Sequence, residues 1–204
     1  MPLLRRRAPH WDDTTSDEEL VGWAQRGQRE AFGLLFDRYL TRVYGYCYRL
    51  LGEREAAQDA NSVVFTKALT ALPGFKVGAA SGSFRAWLFA IAHNVIADEL
   101  RARRGTDPLE AAEWVLDPAP SPEELAIASS ERDSVLALLP LLSTDQQHVV
   151  ALRLSGLTAV EIGAALGRPR NAIDGIHHRA LLRLKELVAT GYAPVTTARG
   201  GSRD

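Results

Sequence analysis

The residues of this sequence that are best suited to chemistry are cations and polar side chains between positions 168 and 185, and they suit contact with nucleic acid. Five arginine and lysine residues in this segment stand against one carboxylate, that of Asp174. Guanidinium groups bind backbone phosphates, and arginine and asparagine also hydrogen-bond to base edges in the major groove. The segment therefore predicts a DNA-binding surface, and its candidate residues are Arg168, Arg170, Asn171, Asp174, His178, Arg179 and Arg183.

Two helices joined by a tight turn must position these side chains. Thr158 and Glu161 have the spacing of a capping box, which starts a helix, and Gly167 with Pro169 marks its end and the start of the next helix. This pattern predicts a helix-turn-helix, although a basic helical hairpin in an ordinary bundle shares it. The positions expected to face inward are Val160, Ile162, Ala165 and Leu166 in the first helix, and Ile173, Ile176, Ala180, Leu184 and Leu187 in the second.

A second set of polar residues lies in and after a loop rich in glycine and serine, residues 75–83. A helix is predicted to begin near Phe84, with its apolar side, which includes Trp87, turned inward. An aromatic ring, a flexible backbone and cations suit unpaired bases, which proteins hold by stacking and hydrogen bonds. Two roles stay open for Phe75, stacking on a base or anchoring its loop, and two for Asn94, base contact or solvation. The candidate contacts to melted DNA are Phe75, Lys76, Arg85, His93, Asn94, Arg101, Arg103 and Arg104.

Three further helices are predicted before this loop. A capping box at Ser16 starts the first helix, which ends near Gly27. The second helix has the strongest apolar periodicity of the chain and ends at Gly52, and the third runs from about Arg54 to Leu72. Cys47 lies on the apolar side of the second helix and is expected in the core. Because it is the only cysteine, a disulfide within the chain is excluded.

The composition excludes several classes of protein. With 204 residues, 46% of them hydrophobic and 24% charged, the chain has the make-up of a soluble globular protein. No apolar run reaches the roughly 20 residues that cross a bilayer, so we expect no signal peptide, no membrane insertion and a cytoplasmic location. The spacing of the five histidines and one cysteine supports no ligand set and no catalytic triad. We therefore expect no metal, no cofactor and no enzymatic activity.

An acidic, proline-containing linker separates the predicted helices into two units. Between positions 105 and 133, eight carboxylates accompany a single arginine, and four prolines interrupt helix formation. The predicted fold class is all-α, with two small helical domains joined by this linker. The predicted ranges are a disordered basic N-terminal arm at 1–15, a first domain at 16–104, the linker at 105–131, a second domain at 132–190 and a disordered tail at 191–204.

Three stretches of the sequence, taken in order, closely resemble bacterial sigma factors of the extracytoplasmic-function (ECF) group. The first stretch, DEELVGWAQRGQREAFGLLFDRYLTRVYGYCYRLLG, resembles the start of such a factor. The second, GSFRAWLFAIAHNVIADELRARR, resembles its promoter-melting helix. The third, LSTDQQHVVALRLSGLTAVEIGAALGRPRNAIDGIHHRALLRLKE, resembles its C-terminal helix-turn-helix. The order and spacing of the three stretches make this resemblance more specific than a helix-turn-helix alone.

The resemblance implies a subunit that binds RNA polymerase core and directs promoter-specific transcription initiation. The first domain is then sigma domain 2-like, binds the core enzyme and melts the −10 element, and the second is sigma domain 4-like and reads the −35 element. The implied partners are the clamp helices of the largest polymerase subunit, promoter DNA and an anti-sigma factor. The implied location is cytoplasmic, at the nucleoid when the chain is bound to polymerase. The implied core contacts are Gln58, Asp59, Ser62, Val63 and Phe65.

The sequence departs from the family pattern at two places. In the third helix Ser62 and Val63 stand where the family has glutamine and glutamate, and in the last helix Asp174 and Ile176 stand where it has lysine and arginine. These departures support an alternative, a sigma-like regulator that binds DNA or a partner protein and has weakened binding to core polymerase. The linker also suggests that the two domains, when free in solution, close on each other through apolar and basic surfaces.

Overall fold

The structure is a computed structural model that describes residues 14–76, 82–106 and 137–190. Within these ranges every helix longer than one turn is an α-helix and no strand is present, which confirms the all-α prediction. None of these helices is long and apolar enough to cross a membrane. The N-terminal domain contains α1 (Asp17–Gln25), α2 (Arg29–Leu51), α3 (Arg54–Ala71) and α4 (Phe84–Thr106), and the C-terminal domain contains α5 (Thr144–Leu154), α6 (Ala159–Leu166) and α7 (Arg170–Ala189).

The boundaries of the predicted linker, arm and tail stay predictions. Residues 1–13, 107–136 and 191–204 lie outside the described ranges, and so do residues 77–81 of the predicted glycine-rich loop. Helix α4 continues to Thr106, two residues past the predicted end of the first domain. Single 3₁₀ turns at Leu72–Gly74 and Leu139–Leu141 follow α3 and precede α5.

The core of the N-terminal domain is built on α2, the helix with the strongest apolar periodicity predicted from the sequence. Leu35, Val43 and Cys47 are fully buried on this stripe, so the expected core position of the cysteine is confirmed. Burial raises the pKa of the Cys47 thiol to about 12. Helix α1 starts with the predicted capping box and is tied to α2 by Asp17, which accepts hydrogen bonds from Arg38 and from the hydroxyl of Tyr39.

The C-terminal domain has the predicted helix-turn-helix. The capping box at Thr158 starts α6, and Gly167 ends it in the left-handed conformation, with φ of 64°. The turn also requires Gly163, since a Cβ there would lie 2.6 Å from the carbonyl oxygen of Arg168. The predicted stripe of α7 is buried along its whole length: Ile173, Ile176, Ala180, Leu184 and Leu187.

Two details of the helix-turn-helix prediction were wrong. Val160 was expected to face inward, but its side chain is 61% exposed. The reason is helical phase, because Ile162 and Ala165 face the core and Val160 lies on the opposite side of the same turn. Pro169 was expected within the first turn of the second helix, whereas it caps that helix, and α7 begins at Arg170.

The two domains pack directly against each other and share one hydrophobic core. Val149, Leu152 and Ile162 of the C-terminal domain join the buried cluster that contains Tyr46 and Leu88 of the N-terminal domain. Helix α6 lies against α4, and α5 lies against α2. The structure therefore shows the closed arrangement that the sequence suggested for the free chain.

Two histidines and a tyrosine meet where the domains touch. The Nδ1 atoms of His93, from α4, and His148, from α5, are 3.2 Å apart. The hydroxyl of Tyr46, from α2, lies 2.9 Å from Nδ1 of His148 and 3.5 Å from Nδ1 of His93. At 3.2 Å one Nδ1 must donate a hydrogen bond to the other. The two histidines therefore cannot both be cationic in this geometry, because a cationic imidazole carries a proton on each nitrogen and cannot accept.

Burial lowers the pKa of both histidines, to about 4 for His148 and in the same direction for His93. A charge on His93 also lowers the pKa of His148, Arg168 lowers the pKa of His93, and Asp145 raises the pKa of both histidines. Arg168 and Asp145 are themselves paired, with Nη1 of Arg168 2.7 Å from a carboxylate oxygen of Asp145. The contact between the domains therefore favours uncharged histidines.

Acidification should weaken the folded, closed protein. Because the pKa values of the histidines are lower in the folded protein than the usual 6.5, the unfolded chain binds more protons below about pH 6.5. Stability is thus complete above that pH and declines as the pH falls toward about 4. We expect a loss on the order of 2 kcal/mol between pH 7 and pH 5. Chemical denaturation followed by circular dichroism at a series of pH values measures it.

The matched control is His148→Gln, which keeps a polar group beside Tyr46 but does not titrate. Its free energy of unfolding should vary less over the same pH range than that of the unaltered protein. Equal pH dependence in the two proteins would show that the histidine pair is not the group responsible.

Candidate nucleic-acid interface

An ion pair between the domains holds the first polar residue of α4. Arg85 donates from Nε and Nη2 to the two carboxylate oxygens of Glu161, with both distances 2.8 Å, and Ser83 donates to the same carboxylate at 3.0 Å. Burial opposes ionisation of Glu161, but hydrogen bonds from Thr158, Arg85 and Ser83 outweigh it and lower its pKa. Arg85, predicted to contact melted DNA, is thus engaged by a carboxylate in the closed chain.

Phe75 belongs to the core. Its ring is 6% exposed and packs against Phe84 and Trp87, with centroid distances of 6.1 and 4.7 Å. Of the two roles left open by the sequence, the structure gives this residue the anchoring one, which corrects its place among the candidate DNA contacts. The cause is the aromatic cluster at the start of α4, which excludes the ring from solvent. Lys76 and Asn94 are exposed and remain candidates.

The basic end of α4 is less positive than its sequence suggests. Arg101 lies 2.8 Å from Asp98, and Arg103 lies 3.0 Å from Glu99 and 3.3 Å from Glu53. These are exposed or half-exposed pairs, which contribute little to stability and can exchange their partner for a phosphate. The side chain of Arg104, in the same turn of α4, is outside the described part of the chain.

The outward face of α7 carries most of the residues predicted from the helix-turn-helix. Asn171, Asp174 and His178 are exposed and lie opposite the buried stripe, and Arg170, Arg179 and Arg183 are exposed beside them. In a helix-turn-helix the N-terminal residues of the second helix contact base edges. The first turns of α7 therefore expose an amide, a carboxylate and a guanidinium group, which are groups that such contacts use.

Asp174 lies between two arginines at the start of α7. One carboxylate oxygen is 3.4 Å from Nε of Arg170, and the other is 3.6 Å from Nη2 of Arg153. Together with Thr158 and Val160, these residues line an open groove of about 390 Å³. The carboxylate partly neutralises both cations, at a position where the sequence pattern of sigma factors has lysine.

Arg153 was missed by the sequence analysis. It lies on α5, and its Nε is buried without a hydrogen-bond partner among the described residues. Its contact with Asp174 joins residues 21 positions apart on different helices, and no local spacing signals such a pair. Only the three-dimensional packing of α5 against α7 shows that it belongs to this groove.

The predicted contact surface for core polymerase lies on α3. Gln58, Asp59, Ser62 and Val63 are exposed there, and 43% of Val63 is accessible to solvent. Phe65 was predicted in the same set, but it is buried and packs against Phe36 with a centroid distance of 4.7 Å. This corrects its assignment, because the ring supports α3 from the core side.

Comparison with known proteins finds the same two regions. Residues 35–106 match the family described as Sigma-70 region 2, and residues 138–186 match Sigma-70, region 4. The chain is 33% identical over 186 residues to the ECF RNA polymerase sigma factor BldN of Streptomyces coelicolor. The aligned region covers 90% of this chain and 70% of BldN.

Solved structures have a similar fold. The structure of CnrH in complex with the cytosolic domain of CnrY matches with a TM-score of 0.65 and 26% identity, over 85% of this chain and 97% of CnrH. The sigma factor RpoE of Bartonella quintana, solved with the anti-sigma factor NepR, matches with a TM-score of 0.66 over 78% of this chain and 96% of RpoE. At 23% identity this second likeness shows the fold alone. Together with the exposed face of α7, the two matched regions and the identity to BldN show that the chain belongs to the ECF group of RNA polymerase sigma factors.

Proposed function

We propose that this protein is a transcription initiation subunit in which each described surface has one task and none is catalytic. The exposed side of α3 binds the clamp helices of core polymerase, the polar side of α4 engages the −10 element, and the outward face of α7 reads the −35 element. The observation that carries this proposal is the face of α7, where Asn171, Asp174 and His178 stand opposite a continuous buried stripe. Such a face can enter a DNA groove without disturbing the core.

The core contact on α3 is mixed in character. Ser62 uses its hydroxyl within the helix, where it donates to the carbonyl oxygen of Gln58 at 3.0 Å. Val63 and Leu69 leave 43% and 54% of their surface exposed on this helix. Binding to polymerase would bury these apolar groups, which favours association, while Gln58 and Asp59 supply the polar contacts.

We assign a partner and a location on the same basis. Membership of the ECF group supports an anti-sigma factor as a partner of this chain. The protein acts in the cytoplasm and at the nucleoid when it is bound to polymerase.

The first test is binding of the full chain to RNA polymerase core in competition with a labelled sigma factor, followed by transcription from a genomic promoter library. We expect displacement of the labelled factor and promoter-dependent transcripts. A protein that neither displaces the labelled factor nor yields a transcript would not be an initiation subunit.

The double change Ser62→Gln with Val63→Glu restores the family residues on α3. We expect an affinity for core about tenfold higher, since an amide and a carboxylate return to an exposed face. The same competition assay measures it, and Ala189→Glu, which adds one charge at the exposed end of α7, is the control. An unchanged affinity of the double variant would show that Val63 makes the contact as an apolar residue. Poor binding of the unaltered protein to core polymerase would instead favour the alternative of a specialised sigma-like regulator.

The change Asp174→Asn should strengthen binding to double-stranded DNA. It removes a carboxylate that partly neutralises Arg153 and Arg170, so both cations become available to phosphate. We expect a severalfold rise in affinity for duplexes of random sequence and a steeper salt dependence, measured by fluorescence anisotropy at two salt concentrations. Glu18→Gln, on the exposed side of α1, removes one charge far from α7 and serves as control. Equal effects of the two changes would mean that only net charge matters.

A further inference from the structure

We propose that the contact between the two domains is an autoinhibitory latch, formed by Arg85 and Ser83 of the N-terminal domain and Glu161 of the C-terminal domain. In the closed chain α6 covers part of the α4 face that engages the −10 strand, so promoter melting requires the domains to separate. This inference rests on the proposed function, because it takes the polar face of α4 to be the −10 surface.

The carboxylate of Glu161 occupies the place of a phosphate. A guanidinium group binds carboxylate and phosphate in the same way, through two parallel hydrogen bonds. Arg85 makes this paired contact with Glu161 at 2.8 Å, and its side chain is only 27% exposed. While the contact persists, the guanidinium group cannot pair with DNA.

Helix α6 also lies against the residues that lead into α4. A Cβ at Gly82 would lie 3.5 Å from the Cβ of Ala164 on α6, which is van der Waals contact. The hydroxyl of Ser83, the next residue, donates to Glu161 and accepts a hydrogen bond from the backbone N–H of Ala86. A DNA strand that follows this edge of α4 would collide with α6.

The second sequestered residue is His93. In the closed chain its ring packs edge-on against His148 of α5, with a centroid distance of 4.5 Å. Two of the residues predicted to engage melted DNA, Arg85 and His93, are therefore held by the C-terminal domain. By contrast, Asn171 and His178 on α7 and Gln58 on α3 are exposed. The latch blocks one of the three functional surfaces and leaves the other two accessible.

The polar groups in the contact between the two domains make separation of the domains easier. Alongside the shared apolar core it contains an ion pair, a histidine pair and a hydrogen bond at 3.3 Å from Arg49 to Ser155. Polar contacts of this kind regain water when the domains part, so separation costs less than it would for a wholly apolar contact. Polymerase binding on α3 can then proceed before the −10 face is released.

The variant Glu161→Gln tests the latch without loss of the helix cap. Glutamine serves in a capping box as glutamate does, and α5 of the same chain uses Ser143 with Gln146 in this way. The matched control is Glu19→Gln, which makes the same replacement in the capping box of α1, away from the domain contact. Both variants lose one negative charge and keep their caps.

Two readouts on the full chain, neither of which needs polymerase, follow the latch. The first is energy transfer between dyes on Glu55→Cys and Ala189→Cys, because both positions are exposed and Cys47, with a thiol pKa of about 12, should not be labelled. The second is affinity for a labelled pool of single-stranded DNA of random sequence. The face of α7 is exposed in both states, so its contribution is common to all variants.

We expect Glu161→Gln to raise the separated fraction and the affinity for single-stranded DNA about tenfold, while Glu19→Gln changes neither. Unchanged energy transfer in Glu161→Gln would overturn the latch. Separation without a gain in affinity would overturn the claim that α6 covers the −10 face. Failure of the proposed function itself appears elsewhere, in the competition assay with core polymerase.

A disulfide gives the reciprocal test. The 3.5 Å between a Cβ at position 82 and that of Ala164 is within the range for a disulfide, so Gly82→Cys with Ala164→Cys should lock the domains together when oxidised. We expect at least tenfold weaker binding to single-stranded DNA in the oxidised form, restored by reductant. Because φ at Gly82 is 69°, any side chain there is strained, and Gly82→Cys alone is the control. Equal binding by the oxidised and reduced forms would overturn the proposal.

Discussion

The carboxylate of Glu161 links local helix formation to the arrangement of the two domains. It completes the capping box that starts α6, with one oxygen 2.9 Å from the backbone nitrogen of Thr158, and it accepts both hydrogen bonds from Arg85. A residue that only capped its helix would leave α4 and α6 joined by apolar packing alone. The shared use of one carboxylate makes the position of the helix-turn-helix on the N-terminal domain depend on an interaction that DNA can replace.

The apolar core and the polar contacts between the domains have different consequences. The core that joins Val149 and Ile162 to the N-terminal domain supplies most of the favourable burial but specifies little geometry. Register is set by the groups with directional bonds, the Arg85 ion pair and the histidine pair, which must be satisfied when buried. The same groups make the arrangement sensitive to solution conditions, because their charge and their bonds to water change when the domains part.

The local architecture was predictable from the sequence, since its signals act over a few residues. The capping boxes at Ser16 and Thr158 and the apolar stripe of α7 all appear in the structure as expected. The contacts between helices were not predictable. Arg85 and Glu161 are 76 positions apart, and periodicity shows which side of a helix is buried but not which helix covers it.

The same limit explains the errors within the candidate sites. Phenylalanine suits a contact surface, yet Phe65 and Phe75 are both buried. The ring of Phe65 packs against Phe36, and the ring of Phe75 packs against Trp87. An aromatic side chain is equally favourable in a core and on a nucleotide base, so its type alone does not decide between them.

Gly163 cannot be replaced without moving α6 against α7, whereas the exposed residues of α7 can be. Its hydrogen atom is all that fits beneath the carbonyl oxygen of Arg168, so any other residue would push α6 and α7 apart and change the orientation of α7. The side chains on the outward face of α7 have no such constraint, since Asn171 and His178 are exposed. The outward residues of α7 can therefore be replaced without disturbing the packing of the two helices, provided that the glycine in the turn beneath them is kept.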